Sequence, residues 1–528
     1  MTIRIVVMLL FSLIVLSIPC YVIAQSKGLA NPRLVGKGEE NVLMGKGGNG
    51  NEETPGDWYV GQAPVNPVEN APILLFVPGL NNVAQIFWEE EDGLYHAAYE
   101  AGYQTAFVQL YDAGGASADM WDNGMLLAEK IEEISAHFNG RPITLVAYSK
   151  GGVDAQTAAA YYGAWRYVDN IITLSSPHHG SQLADLANSN WAGWLADLLG
   201  FQGEGTTAVE TGRMTHFRSE IDEQPYAYYN DYYTFGGMDW GSVLSVTWYG
   251  GVYLSSYGEN DGVVTAVSSS LPEGQEIAIG EWDHLSIKTE IIFPFMDDYI
   301  MDGQVAVRPE LTKAVKPTSA PVSNQLIRGN AITKGNPEQQ ELVVEDGVES
   351  IDLLVYAGHN LKDLTLIDPT GRSYSAKKVT THDTGGIFYG AKSYRIAVKN
   401  PPEGNWKVKL SSNQDSAYLL VTKFDKQKDL PLIKKISEKS KPSTFNYQIQ
   451  ADSAQVKQDS LQATYTVLES GNRSTANTWK KSGTLDFSSE LSNLKKNQSY
   501  NITIDVKGET RSGFPFERTL IDSIYTAD

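Results

Sequence analysis

Ser149 is the side chain in this sequence best placed to do chemistry. It ends an apolar, β-branched run, Ile143-Thr-Leu-Val-Ala-Tyr148, and stands between two small residues, Ala147 and Gly151. That spacing predicts a sharp strand-to-helix turn that presents the hydroxyl. Such a turn strains the backbone, and larger side chains two positions either side would strike the neighbouring strand and helix. A hydroxyl is a weak nucleophile at neutral pH, so Ser149 needs a base, and the base needs an orienting acid. Four of the eight histidines follow the serine in the same region: His178, His179, His216 and His284. His284 comes just after the apolar segment Glu276-Ile-Ala-Ile-Gly280, on a loop leaving a strand, from which it can reach a serine at the top of a sheet. Asp261, at the tight turn Asn260-Asp-Gly262 before an apolar run, is the favoured acid. Asp283 adjoins His284, points elsewhere and ranks below it. An oxyanion formed on attack would need two backbone N–H donors. Lys150, after the nucleophile, supplies one. Leu80, in the loop Val77-Pro-Gly-Leu80 after the first core strand, supplies the other. The Lys150 ammonium either favours the oxyanion or pairs with a carboxylate such as Asp154. Adjacent histidines project in different directions, so His178 and His179 are read as supports of the site floor. No metal and no cofactor are expected.

The elements that must position these groups alternate in type. Buried-type strands at Ile73 to Val77, Gln104 to Leu110, Ile143 to Tyr148 and Asn170 to Leu174 interleave with helical patterns at Leu126 to Phe138 and Val153 to Tyr162. This predicts an α/β domain with a mostly parallel sheet and helices on both faces, over residues 67–303. Residues 25–66, rich in Gly, Asn and Glu, read as a loosely structured lead-in. Residues 304–325 read as a Pro-containing linker. Short alternating strands between turn signals then predict two all-β sandwiches, at 326–425 and 445–528, joined by a Lys-rich linker at 426–444. The first 24 residues read as a secretory signal peptide, with Arg4 before the apolar run Ile5 to Ile18. The only cysteine, Cys20, lies inside that segment, so disulfides and thiolate metal sites are excluded from the rest. Residues 25–300 carry 11 Lys and Arg against 37 Asp and Glu, whereas residues 301–528 carry 30 against 26. The acidic half argues against nucleic acid as a partner.

With Val77-Pro-Gly-Leu80, Ala147-Tyr-Ser-Lys-Gly151, Ser176-Pro-His-His-Gly-Ser181, Asn260-Asp-Gly-Val-Val264 and Asp283-His-Leu285 together, the chain resembles the secreted bacterial triacylglycerol lipases and related esterases of the α/β-hydrolase superfamily. The resemblance covers about residues 55–300. It implies a secreted carboxylic ester hydrolase with Ser149 as nucleophile, Asp261 as acid, His284 as base, and Leu80 and Lys150 at the oxyanion positions, in the chain order serine, acid, histidine. Two departures stand out: Pro78 and Tyr148 occupy positions where histidine is usual. Larger lipases of this kind hold calcium with an Asp two residues after the histidine. Here that residue is Ser286, so no calcium site is carried over. Trp191, Trp194, Leu195, Leu198 and Leu199 recur at roughly helical spacing after the fourth strand, where lipases insert a lid, and are read as a lid over an acyl pocket. The two β modules resemble jelly-roll and immunoglobulin-like accessory domains. They suggest a polymer or cell-surface ligand, and with it an alternative reading as a polyester depolymerase. A surface-binding protein with an inactive hydrolase domain is the third reading. The expected substrate is an ester or lipid.

Overall fold

The computed structural model describes residues 29–38, 53–90, 92–114, 117–243, 245–301, 324–379, 387–426, 432–436, 447–483, 491 and 494–527. The segment read as a signal peptide lies outside them, as does most of the first expected linker. The N-terminal half is built on an eight-stranded sheet: β1 (Arg33–Gly36), β2 (Trp58–Val60), β3 (Ile73–Val77), β4 (Thr105–Val108), β5 (Ile143–Tyr148), β6 (Val168–Leu174), β7 (Asp231–Gly237) and β8 (Gln275–Gly280). Its order is β1-β2-β4-β3-β5-β6-β7-β8. The strands β4-β3-β5-β6-β7-β8 run parallel. β1 and β2 add an antiparallel edge, in the stretch expected to be a loose lead-in. Short strands docked by backbone pairing leave little apolar periodicity to read.

The helices are α1 (Leu94–Glu100), α2 (Met120–His137), α3 (Lys150–Ala160), α4 (Gln182–Ala187), α5 (Gly193–Leu199), α6 (Glu204–Ala208), α7 (Thr211–Ile221), α8 (Val246–Leu254) and the short α9 (Phe293–Met296). The sheet is covered on both faces, and the period of two in each strand shows how. In β3, Ile73, Leu75 and Val77 pack with Leu127, Ile131 and Ala158 of α2 and α3. Leu74 and Phe76 point the other way, towards Leu94 and Ala98 of α1 and the segment around Phe293. Continuous apolar strands of this kind are the mark of a sheet buried on both sides.

Residues 325–426 form a five-stranded sheet facing a four-stranded one, around a core that includes the fully buried Trp406 and Tyr418. The C-terminal module carries a second four-stranded antiparallel sheet, ending in the strand Pro515–Thr526. The expected second linker contains the strand Leu432–Ile436, paired with Tyr447–Ala451.

Both modules pack against the N-terminal half. One apolar cluster joins Leu183 and Leu186 of α4, Leu195 of α5 and Tyr249, Val252 and Tyr253 of α8 to Ile327, Tyr356, Ile387 and Leu419 of the first module and Ile521 of the second. Gly212 lets α7 meet the last strand closely: a Cβ there would lie 2.5 Å from the Ile524 Cα.

Candidate active site

Ser149 caps α3 at the carboxyl end of β5, with φ 55° and ψ −132°. This left-handed backbone explains the small residues around it. A Cβ on Gly151 would sit 2.4 Å from the Pro78 carbonyl oxygen, and one on Gly79 would sit 2.7 Å from the Ser149 Cβ. The β3 and β5 ends can approach each other only with glycine there.

His284, on the loop after β8, brings its Nε2 to 3.0 Å from the Ser149 Oγ. Its Nδ1 lies 2.6 Å from the Asp261 Oδ2. The other oxygen of Asp261 accepts from the backbone N–H groups of Val263 and Val264, at 2.9 and 2.7 Å. The His284 N–H donates to the Asp261 carbonyl at 2.9 Å. All three side chains are buried. A carboxylate fully engaged by N–H donors fixes the Nδ1–H tautomer and leaves Nε2 free to accept a proton. Asp283 instead accepts from the backbone of Leu285 and Ser286.

Leu80 and Lys150 line the cavity over Ser149, with Asn81, Pro177, Phe201, Val209 and Val264. The Lys150 ammonium points away from it. Its Nζ reaches both oxygens of Asp154, at 3.0 and 3.1 Å, and Asp112 at 3.2 Å. Asn123 donates to both carboxylates. Of the two roles left open for the cation, pairing with carboxylates is the one the geometry fits. Burial alone would lower the ammonium pKa, but Asp112 and Asp154 outweigh it and raise it. Burial pushes Asp154 up to about 7, against the pull of Lys150. This cage ties the turn after Ser149 to α2 and to the loop at Asp112.

His178 is buried, 3.3 Å from the Thr173 Oγ1. Burial holds its pKa well below the usual value, so it is neutral. The backbone of His179 bonds to Ser268, and His216 sits on α7 beside Glu220. No cluster of three or more His, Cys, Asp or Glu side chains able to hold a metal occurs among the described residues.

The expected lid residues take other positions. The stripe is broken into α4 and α5, and none of Trp191, Trp194, Leu195, Leu198 and Leu199 lines the cavity. Trp191 lies under Arg328 of the first module and donates to Asp505 of the second. Trp194 lies under Arg473. Leu195 is buried among module residues, and Leu198 and Leu199 face Gly358 and Gly390. The apolar stripe meets the modules because they offer it an apolar sheet face. Phe201 and Val209, just beyond it, line the cavity, and so does Ile387 of the first module. Nothing local in the sequence marks Ile387, because it arrives from a separate module.

No protein-family model matches the chain, and no curated protein matches it. Among solved structures it is similar to a Bacillus licheniformis lipase in its propeptide form. The two share 33% identity over 90% of this chain and 98% of that one, with a TM-score of 0.74. The mature form of the same lipase matches at 42% identity over 47% of this chain and all of that one, with a TM-score of 0.44. The near-complete match in length, together with the serine–histidine–aspartate geometry at the sheet top, places the chain in the family of that lipase, serine ester hydrolases of the α/β-hydrolase fold.

Proposed function

We propose that the protein is a secreted triacylglycerol lipase made as a capped precursor, whose C-terminal modules cover the site until they are removed or displaced. In the reaction, Ser149 attacks the ester carbonyl while the His284 Nε2 takes its proton. Asp261 orients the imidazole and stabilises its charged form. The N–H groups of Leu80 and Lys150 receive the oxyanion. The imidazolium protonates the departing alcohol, and water then attacks the acyl-enzyme through the same histidine, releasing the fatty acid. No cofactor enters any step.

The observation that carries this reading is the 3.0 Å and 2.6 Å pair of hydrogen bonds through His284 beneath an apolar cavity. Capping is supported by the size of that cavity, about 40 Å³. It holds a few water molecules and no long fatty acyl chain. The match to a lipase in propeptide form agrees with a precursor. The modules direct their apolar sheet faces at the enzyme, which favours a cover over a polymer or cell-surface tether, and so over the depolymerase reading.

A cleavage site engineered between residues 301 and 324 tests both parts. Cut protein is expected to hydrolyse emulsified tributyrin and triolein, and uncut protein to do so at least tenfold more slowly. Activity on tributyrin alone would reduce the reading to a short-chain esterase. Equal activity before and after cutting would remove the cap.

A further inference from the structure

Tyr148 occupies a position where histidine is usual, and triad chemistry gives it no task. It is the last residue of β5, next to the nucleophile in sequence, and its side chain is buried. Its hydroxyl donates to the backbone carbonyl of His284 at 2.9 Å, across 136 residues of chain. Its ring lies 5.1 Å from the imidazole, centroid to centroid, tilted by 42°. The peptide units on both sides of His284 are therefore tied down: its N–H to the Asp261 carbonyl and its carbonyl to Tyr148.

We propose that Tyr148 is a positioning residue for the base, holding the His284 loop so that Nε2 stays within hydrogen-bond reach of the Ser149 oxygen. The adjacent residues Tyr148 and Ser149 then supply the anchor of the base and the nucleophile from one rigid strand end. A shift of β5 carries both together and leaves the serine–histidine distance unchanged. The loop needs such an anchor. His284 lies on an irregular segment between β8 and a 3-10 turn at Ser286–Lys288, with no regular ladder of its own. The phenol is suited to the task, because burial first, and then the nearby charges of Asp261, Asp283 and Glu90, push its pKa well above the usual value. It therefore keeps its proton, and its role as donor, well above neutral pH.

This inference rests on hydrolysis through Ser149 and His284, and its test includes a readout that needs no turnover. In the full-length chain, Tyr148→Phe removes one oxygen and keeps the ring. We expect kcat on p-nitrophenyl acetate to fall about 10- to 100-fold, the cost of a misplaced reacting group, with KM unchanged. The downfield NMR resonance of the His284 Nδ1 proton, held by the 2.6 Å bond to Asp261, is expected to broaden or vanish. In a His284→Ala background, Tyr148→Phe is expected to change the residual rate less than twofold. 4-Aminophenylalanine at 148, which restores a donor at the same ring position, is expected to return the resonance and most of the rate. A Tyr148→Phe enzyme with kcat within twofold of wild type and an unchanged resonance overturns the proposal. So does an equal loss in the His284→Ala background. If Tyr148→Phe does not fold, a 4-aminophenylalanine enzyme that folds yet lacks the resonance overturns it, and one that keeps the resonance and rate supports it. If wild type shows the resonance without ester turnover, the proposed reaction fails and the anchoring stands.

Discussion

Raising the pH is expected to loosen the C-terminal module from the catalytic half. Asp185 of α4 and Glu210, just before α7, are buried where that module docks. Asp185 accepts from the N–H and hydroxyl of Thr211, at 2.9 and 2.7 Å, and from Ser523 of the last strand at 2.6 Å. Its carbonyl accepts from Asn501. One oxygen of Glu210 accepts from Ser470 at 2.9 Å, and the other is buried without a partner among the described residues. Asp522 faces them from the module, Tyr253 from α8 and Tyr257 from the turn after it. The cations around them are engaged elsewhere: Arg213 over Tyr525, Arg328 with Asp505 and Glu517, and Arg518 with Glu345.

Burial, and then the facing charge of Asp522, push Asp185 up to about 6 from 3.8, and burial pushes Glu210 well above its usual value. The docked state thus binds these protons more tightly than an undocked, hydrated state. Docking is strongest below about pH 4, weakens as pH rises through about 6 for Asp185, and weakens further where Glu210 ionises. At about 1.4 kcal/mol per pKa unit, Asp185 alone accounts for about 3 kcal/mol of lost docking. Hydrogen exchange of the strand Pro515–Thr526, corrected for intrinsic rates, is the assay. Protection is expected to drop between pH 4.5 and 8, and Asp185→Asn is expected to flatten that drop. Equal protection at both pH values, or an identical drop in the Asn variant, refutes the reasoning.

Other expectations are more local. In the cage behind the nucleophile, Asp154 holds its proton up to about 7, so wild-type stability falls as pH rises from about 4 to 7. Asp154→Asn is expected to melt with a shallower pH dependence over that range, by scanning fluorimetry, and parallel curves would contradict this. Gly151→Ala sets a Cβ 2.4 Å from the Pro78 carbonyl and is expected to cost about 1–3 kcal/mol in chemical denaturation, with loss of esterase activity. Ile387→Ala opens the cap over Ser149. It is expected to speed labelling of the full-length chain by a fluorophosphonate while lowering stability by about 2–5 kcal/mol.

Much of the catalytic half is legible in the sequence, because its signals are local. β3 is an uninterrupted apolar run, β5 and β6 are rich in Ile, Leu and Val, and Ser149 needs small neighbours that can be read within five residues. Asp261 and His284 stand in turns with distinctive composition, so the three side chains that meet can be named without coordinates. What escapes is set by distant partners. Tyr148 stands out in the sequence only as a departure from the usual histidine, and its partner shows only when His284 arrives from 136 positions away. The stripe from Leu183 to Leu199 has the periodicity of a lid, but periodicity says only that a face is covered, and here the modules cover it. β1 and β2 escape because a three- or four-residue edge strand is held by backbone pairing, with few apolar side chains to signal it.

The most direct test of the central claim is the site of covalent labelling. Protein with its modules cut away is treated with a fluorophosphonate and digested, and the adduct is mapped by mass spectrometry alongside ester turnover. The label is expected on Ser149 alone. Ser149→Ala is expected to abolish both label and turnover, and Asp261→Asn to slow turnover by about 10³- to 10⁴-fold. A label on another residue, or ester turnover that survives Ser149→Ala, would contradict the account.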